Sequence, residues 1–575
     1  MWYKTSLSKT GTVIPMPVPS SYNDITQDKE LRDFVGWVWY DREFYVDSNW
    51  KNDKIVHLRI ESAHYNAIVW INSHFAFNHS GGHLPFEGEV SHLLNYFTIN
   101  RITIAVNNTL TPTTLPPGSI KYERNSKRYP RGYFVQNLQM DFFNYAGIHR
   151  HVWLYTTPQI YIHDIILKTS TTGSTGLVTY LVVPSEAGNT IYCDIQVLDK
   201  DGKTVVRATG ISGTIMIPNA NLWWPYTMNK TSPAYLYTFR VVLLADKIDV
   251  YRQPFGIRTV AVTDDQLLIN KKPFYCLGVG RHEDADVRGK GLDLPLIAKD
   301  FNLMKWLGVN CFRTSHYPYS EDLMDQADQQ GFAVIDESPG VGIEGNNMGS
   351  ASLAHHQEVM REMIHRDKNR PSVIIWSVAN EPQSYRPEAE HYFGAVVNFT
   401  RQLDATRPVT FVMNADFTND RAAKFVDILC INRYYGWYSD NGHTEVIPLQ
   451  LAYDLDSIYN LHHRPIILAE YGADAIAGLH RDPSVSFSEE YQVDLLAANH
   501  KVFNKLRHKY LVGEMVWNFA DFQTAQNVKR VAGNKKGILT RQRQPKLAAF
   551  LIRSRYMAIN NGTLNEDVCG RSITL

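Results

Sequence analysis

From about residue 259 the chain repeats one grammar: a short apolar run, then a helical pattern, then another apolar run. The runs lie at 273–279, 310–316, 332–337, 373–381, 408–413, 427–432, 465–470 and 511–519. Apolar runs of this length between helical patterns are expected of strands buried on both faces, as in a parallel sheet covered by helices. Helical patterns fill most gaps. One starts at Asp293, sets Ile297, Phe301 and Met304 on one stripe, and can end at Gly308; others run over 352–367 and 488–508. Eight strands match a closed (β/α)8 TIM barrel, which takes roughly 250 residues. An open doubly wound sheet is the alternative, but no Gly-rich dinucleotide or phosphate loop opens any of the helices.

Upstream the grammar is all-β. Residues 1–157 carry short runs at 54–60, 64–71, 101–106 and 151–155 separated by turn residues, which predicts a jelly-roll β-sandwich. Within it, Thr111-Pro-Thr-Thr-Leu-Pro-Pro-Gly118 predicts a surface hairpin or loop. Residues 158–258 continue with runs at 160–167, 177–183, 191–198 and 235–244, on the scale of an immunoglobulin-like β-sandwich, without a Cys…Trp…Cys core signature. The expected division is therefore 1–157, 158–258 and 259–575, and 575 residues are too many for one ordinary core.

Lys+Arg and Asp+Glu each number 58, a balance that argues against a nucleic-acid partner. No apolar run of about 18 residues is present, so no membrane span is expected. The opening Met1-Trp-Tyr-Lys-Thr5 lacks the apolar core of a signal peptide. Five sequons occur, at Asn78, Asn107, Asn229, Asn398 and Asn561. Cys193, Cys276, Cys311, Cys430 and Cys569 are scattered without CxxC or zinc spacing; Cys276, Cys311 and Cys430 read as small buried thiols, and a disulfide framework is not expected.

Glu381 and Glu470 close two of the apolar runs, on what count as the fourth and seventh strands. A carboxylate at such a position is costly without a partner or a task. Both face the same mouth of a barrel, where paired carboxylates suit glycoside hydrolysis: one protonates the leaving oxygen while the other attacks the anomeric carbon. The competing reading is a pair of structural carboxylates bonded to Arg or Lys.

Asp367-Lys-Asn-Arg-Pro-Ser-Val-Ile-Ile-Trp-Ser-Val-Ala-Asn-Glu381 resembles the acid/base signature of glycoside hydrolase family two, and Asn310-Cys-Phe-Arg-Thr-Ser-His-Tyr-Pro-Tyr319 resembles that family's other signature. Asn432-Arg-Tyr-Tyr-Gly-Trp-Tyr438, Trp517-Asn-Phe-Ala-Asp-Phe522 and Asn534-Lys-Lys-Gly537 carry the likeness into the family's glucuronide-cleaving branch. The resemblance implies a retaining exo-hydrolase of terminal β-D-glucuronic acid, acting on glucuronide conjugates and glycosaminoglycan ends, with no metal or organic cofactor. It implies Glu381 as acid/base, Glu470 as nucleophile and Tyr434 as the donor that holds it. Asn380 would meet the sugar 2-hydroxyl, Asp141 and His316 the 4- and 3-hydroxyl region, and Trp517 would form a stacking wall. Asn534 and Lys536, with Arg530 nearby, would bind the C6 carboxylate, although an exposed loop lysine is the ordinary reading of such a motif. Animal relatives imply a lysosomal homotetramer. Another family-two specificity, such as a galactosidase or galacturonidase, and a non-catalytic carbohydrate-binding relative are the alternatives.

His282-Glu-Asp-Ala-Asp286 has the letters of a metal cluster, but its ligands crowd one segment, and the resemblance makes it structural. Two departures from the family pattern stand out. The part before Val18 is short and poorly matched, which would leave a sandwich edge strand unpaired. The stretch 338–355 is short as well, which leaves the mouth open to large substrates.

Overall fold

The structure, a computed structural model, describes residues 1–186 and 191–564. Eight parallel strands close into a barrel: β1 Cys276–Gly280, β2 Cys311–Arg313, β3 Ala333–Glu337, β4 Val373–Asn380, β5 Val409–Met413, β6 Leu429–Asn432, β7 Ile466–Tyr471 and β8 Leu511–Val516, with β8 paired back to β1. Each apolar run read from the sequence overlaps one of them. Every strand residue is buried, as continuous apolar runs require.

The outer ring is α1 Leu294–Leu307, α2 Glu321–Gln330, α3 Ser350–Asp367, α4 Pro387–Leu403, α5 Ile447–His462, α6 Glu489–Leu506 and α7 Leu547–Asn560. The gap between β5 and β6 holds only the 3-10 turn Ala423–Phe425. Helix α1 shows how the sequence sets these limits. The Asp293 side chain accepts from the Leu296 N–H and caps the start; Ile297, Phe301 and Met304 are buried; Gly308 ends the helix at φ +83°, where L side chains are strained. A Cβ on Gly308 would also lie about 3.1 Å from the Met557 sulfur of α7.

The cysteines depart from expectation. Cys276 and Cys311 sit on neighbouring strands, β1 and β2, with Cα atoms 5.4 Å apart, and form a disulfide. Adjacent parallel strands bring together inward-facing residues that lie 35 positions apart in sequence. Cys193 and Cys430 are buried free thiols, and burial pushes Cys430 up to about 12. Cys569 lies outside the described residues.

The first sandwich pairs a four-stranded sheet (Trp37–Phe44, Asn100–Asn107, Asn66–Ile71, His74–Ser80) with a three-stranded one (Val152–Thr157, Ile55–Ile60, Phe86–Glu89) over a Val, Ile and Leu core. Among the described strands, Trp37–Phe44 is an edge and pairs only with Asn100–Asn107. Residues at the start of the chain pack on this sheet: Tyr3 stacks on Trp70 at 4.9 Å, and the Leu7 N–H donates to Asp41. In the second sandwich, sheets of three and four strands enclose a core around Val178, Ile195, Phe239 and Val241.

Both sandwiches are fastened to the barrel. Arg258 donates to the Pro371 and Val373 carbonyls at 2.9 and 2.7 Å, and Trp223 Nε1 donates to the Asp328 carbonyl at 2.9 Å. The Pro-rich segment is less superficial than predicted: Leu115, Pro116 and Pro117 are buried, and Leu115 belongs to the barrel's apolar core. Downstream, a hairpin of Gly118–Tyr122 and Phe134–Leu138 leads into residues 139–143. There Phe142 enters the same core and the Phe143 N–H donates to the Gln523 carbonyl. A sandwich segment thus reaches the barrel mouth.

Asp300 of α1 is fully buried and accepts from Arg281 at 2.9 Å and from Arg543 at 3.0 Å. Asp300→Ala leaves two buried guanidiniums without that carboxylate and is expected to cost about 3–5 kcal/mol. Urea unfolding should show a lower midpoint; an unchanged one would contradict this account of the barrel wall.

Candidate active site

At the mouth, strand ends gather polar side chains that the apolar strand bodies cannot accommodate. Glu381 follows β4 with φ +47°, a strained value for a residue with a side chain, and its N–H is tied to the Val412 carbonyl. Its carboxylate accepts from Asn432 Nδ2 at 2.6 Å and from Asn414 Nδ2 at 3.1 Å. Glu470, on β7, is buried. It accepts from the Arg313 guanidinium and from the Tyr434 hydroxyl, the latter at 2.5 Å.

The two carboxylates therefore have unlike surroundings. Burial raises the Glu381 carboxyl to about 7; the Glu470 charge adds to the rise, and the Asn432 bond and Arg313 oppose it. Burial, then the adjacent Glu470, keeps the Tyr434 phenol protonated, so it donates. Arg313 is fully buried and also donates to Glu337 at 2.7 Å and to the Asn380 side-chain oxygen at 3.3 Å. Burial alone would raise Glu337, but Arg313, His316 and Ser377 hold it below the ordinary range. His316 Nδ1 lies 2.9 Å from Glu337, and its Nε2 is 3.9 Å from Glu470. The His316 ring stacks on Trp517 at 5.1 Å. Gly280 makes room for that indole, since a Cβ there would lie 2.4 Å from Trp517 Cε3.

Beside this pair lies a cationic cradle. Lys536 and Asn534 are fully buried, so the exposed-loop reading of the lysine does not hold. Lys536 Nζ donates to Asp474 at 2.5 Å and to the Tyr438 hydroxyl at 2.9 Å, and it lies 4.8–5.7 Å from the ring centres of Tyr438, Trp437 and Tyr434. Arg530 shares the Tyr438 hydroxyl at 2.8 Å and grips Asp141 with two bonds of 2.6 and 2.8 Å. Asn534 Nδ2 donates to the same Asp141 at 2.8 Å. Asp141 comes from the first sandwich, and its side chain remains 45% exposed.

The structure thus brings together Glu381, Glu470, Tyr434, Asn380, His316, Trp517, Asp141, Arg530, Asn534 and Lys536. Sequence reading missed Arg313, Glu337, Asn414, Asn432, Tyr438 and Asp474. Arg313, Glu337 and Asn432 each end an apolar strand, the same signal that exposed Glu381 and Glu470. The carboxylates of the His282 segment pair with arginines: Glu283 with Arg150, Asp284 and Asp286 with Arg541. Among the described residues, Glu61, His151 and Asp322 bring one ligand atom each within 4.8 Å of one another, but Trp153 Nε1 donates to Glu61 and Arg59 lies 3.9 Å from it. A carboxyl protonated near neutrality, a bonded carboxylate beside it and a neighbouring cation pair can together cleave an acetal that carries an acidic group.

The domains of glycosyl hydrolases family 2 match the chain in order: the sugar-binding domain over residues 2–158, the central domain over 160–258 and the TIM barrel domain over 260–561. This protein belongs to glycosyl hydrolases family 2. It is 54% identical to the β-glucuronidase of Felis catus over 98% of this chain and 88% of that protein, and 52% identical to that of Homo sapiens with the same coverage. Among solved structures, the β-D-glucuronidase of Dictyoglomus thermophilum superposes with a TM-score of 0.92 at 46% identity, covering 95% of this chain and 94% of that one. The β-glucuronidase of Ruminococcus gnavus in complex with uronic deoxynojirimycin gives 0.90 at 35% identity, covering 96% and 93%.

Glu381 is expected to titrate near 7, and Glu470→Gln should lower that midpoint, because ionisation no longer places a second negative charge in the site. Infrared difference spectra of the carboxyl stretch measure both. An unmoved midpoint would show that the two carboxylates do not sense each other.

Proposed function

We propose that this protein is a retaining exo-β-glucuronidase that removes terminal β-D-glucuronic acid. The observation that carries the reading is Lys536, a fully buried ammonium beside the carboxylate pair. With Asn534 and Arg530 it offers a cation and donors to a sugar's C6 carboxylate, which a neutral hexoside cannot use.

In the proposed reaction Glu470 attacks the anomeric carbon while Glu381 gives its proton to the departing glycosidic oxygen. The C–O bond to the leaving group breaks as the ester to Glu470 forms. Water then attacks the same carbon, Glu381 takes the water's proton, and Glu470 leaves. Arg313 and Tyr434 aim Glu470. Asn432 and Asn414 aim Glu381. Asn380 meets the 2-hydroxyl, His316 and Asp141 the 3- and 4-hydroxyl side, and Trp517 walls the pocket.

The boundaries near residues 158 and 259, a secretory route to the lysosome and assembly as a homotetramer belong to the same proposal. The last rests on family resemblance. Exposed sequons at Asn78, Asn398 and Asn561, and the Cys276–Cys311 disulfide, support the secretory route. Asn107 and Asn229 are partly buried, and their side-chain oxygens accept local backbone N–H groups, which makes them poorer glycan acceptors. No helix among the described residues is long and apolar enough to cross a membrane. The short 338–355 stretch supports action on glycosaminoglycan ends as well as small conjugates.

Chromogenic β-glucuronide and β-galactoside, compared in wild type and variants, test the reading. The glucuronide should be cleaved preferentially, and Glu470→Ala should reduce turnover by about a thousandfold or more. Lys536→Ala should lower glucuronide kcat/KM by roughly 10–100-fold, mainly through KM, as expected for one charge-assisted bond. Galactoside preference that survives Lys536→Ala would overturn the specificity. Because Glu381 must hold a proton to act as the acid, kcat/KM should fall as pH rises through about 7.

A further inference from the structure

Asp474 lies four residues beyond Glu470 on the turn after β7, and only 1% of it is exposed. One carboxylate oxygen accepts the Lys535 backbone N–H at 2.8 Å. The other accepts from Lys536 Nζ at 2.5 Å and lies 3.5 Å from Arg530 Nη1. A single buried side chain therefore fixes the backbone between Asn534 and Lys536 and faces both cations of the cradle.

We propose that Asp474 is the positioning residue for uronate selectivity, a proposal that rests on the glucuronidase reading above. A buried ammonium needs a counter-charge to remain an ammonium. The groups around Lys536 Nζ are the neutral phenols Tyr434 and Tyr438, the Trp437 indole, the cation Arg530 and the anion Asp474. Asp141 is taken up by Arg530 and Asn534. Among these groups Asp474 alone supplies Lys536 with a negative charge. Its anchor on Lys535 holds it in place, so it orients the lysine rather than competing for it as a mobile anion would. Asp474 does not touch the sugar; it acts through Lys536 and Arg530.

Asp474→Asn separates charge from shape, since the amide keeps an oxygen for the Lys535 N–H and presents an NH2 group to Lys536. The glucuronide-to-glucoside ratio of kcat/KM, measured with 4-nitrophenyl substrates, is expected to fall about tenfold or more, through glucuronide KM. In a Lys536→Met background the same change should alter the ratio less than about threefold, since the two residues act as one unit. An unchanged ratio, an equal fall on both substrates, or effects that simply multiply in the double variant would overturn the role of Asp474. A wild type that does not favour the glucuronide would instead defeat the glucuronidase reading.

Discussion

A single guanidinium holds two carboxylates at the centre of the barrel mouth. Arg313 is buried at the end of β2, donates to Glu337 on β3 and to Glu470 on β7, and touches Asn380 on β4. Removing three charges from water costs several kcal/mol per ion, which good geometry and further bonds must offset. Here Ser377, His316 and Tyr434 supply those bonds. The arrangement also creates the asymmetry that acid–base chemistry needs. Glu470 is hydrogen-bonded by a cation and a phenol, whereas Glu381 is hydrogen-bonded by the neutral amides of Asn432 and Asn414. Burial and the Glu470 charge thus raise the proton affinity of Glu381.

The barrel was legible in the sequence because its strands are buried on both sides, and such burial leaves uninterrupted apolar runs. The glutamates were legible because a charge at the end of such a run is expensive. The same logic applies to Arg313, Glu337 and Asn432, yet a residue that looks like part of a motif does not announce which neighbour it holds. Asp474 had no local signal at all. Its surroundings exist only once the segment around Lys536, 62 residues on, folds against it. The Cys276–Cys311 pair was hidden for a related reason, since it depends on which strands become neighbours. Leu115 misled because prolines report backbone restriction, not exposure.

The sandwich contribution is the least local of these effects. Residues 139–143 leave the first domain, bury Phe142 in the barrel's core and present Asp141 to Arg530 and Asn534. The last barrel loop and the first domain complete one wall between them. The exposed, doubly bonded Asp141–Arg530 contact spans that join. It brings a first-domain carboxylate to the Arg530 guanidinium and the Asn534 amide of the barrel.

That shared wall has an evolutionary consequence. A gene fragment encoding the barrel by itself would carry Glu381 and Glu470 but not Asp141, so Arg530 and Asn534 would lose the carboxylate that bonds them both. Exchange of domains between relatives would preserve the rim only if the 139–143 segment and the 523–541 loop were inherited together. Two stretches nearly 400 residues apart are thereby tied into one unit of selection.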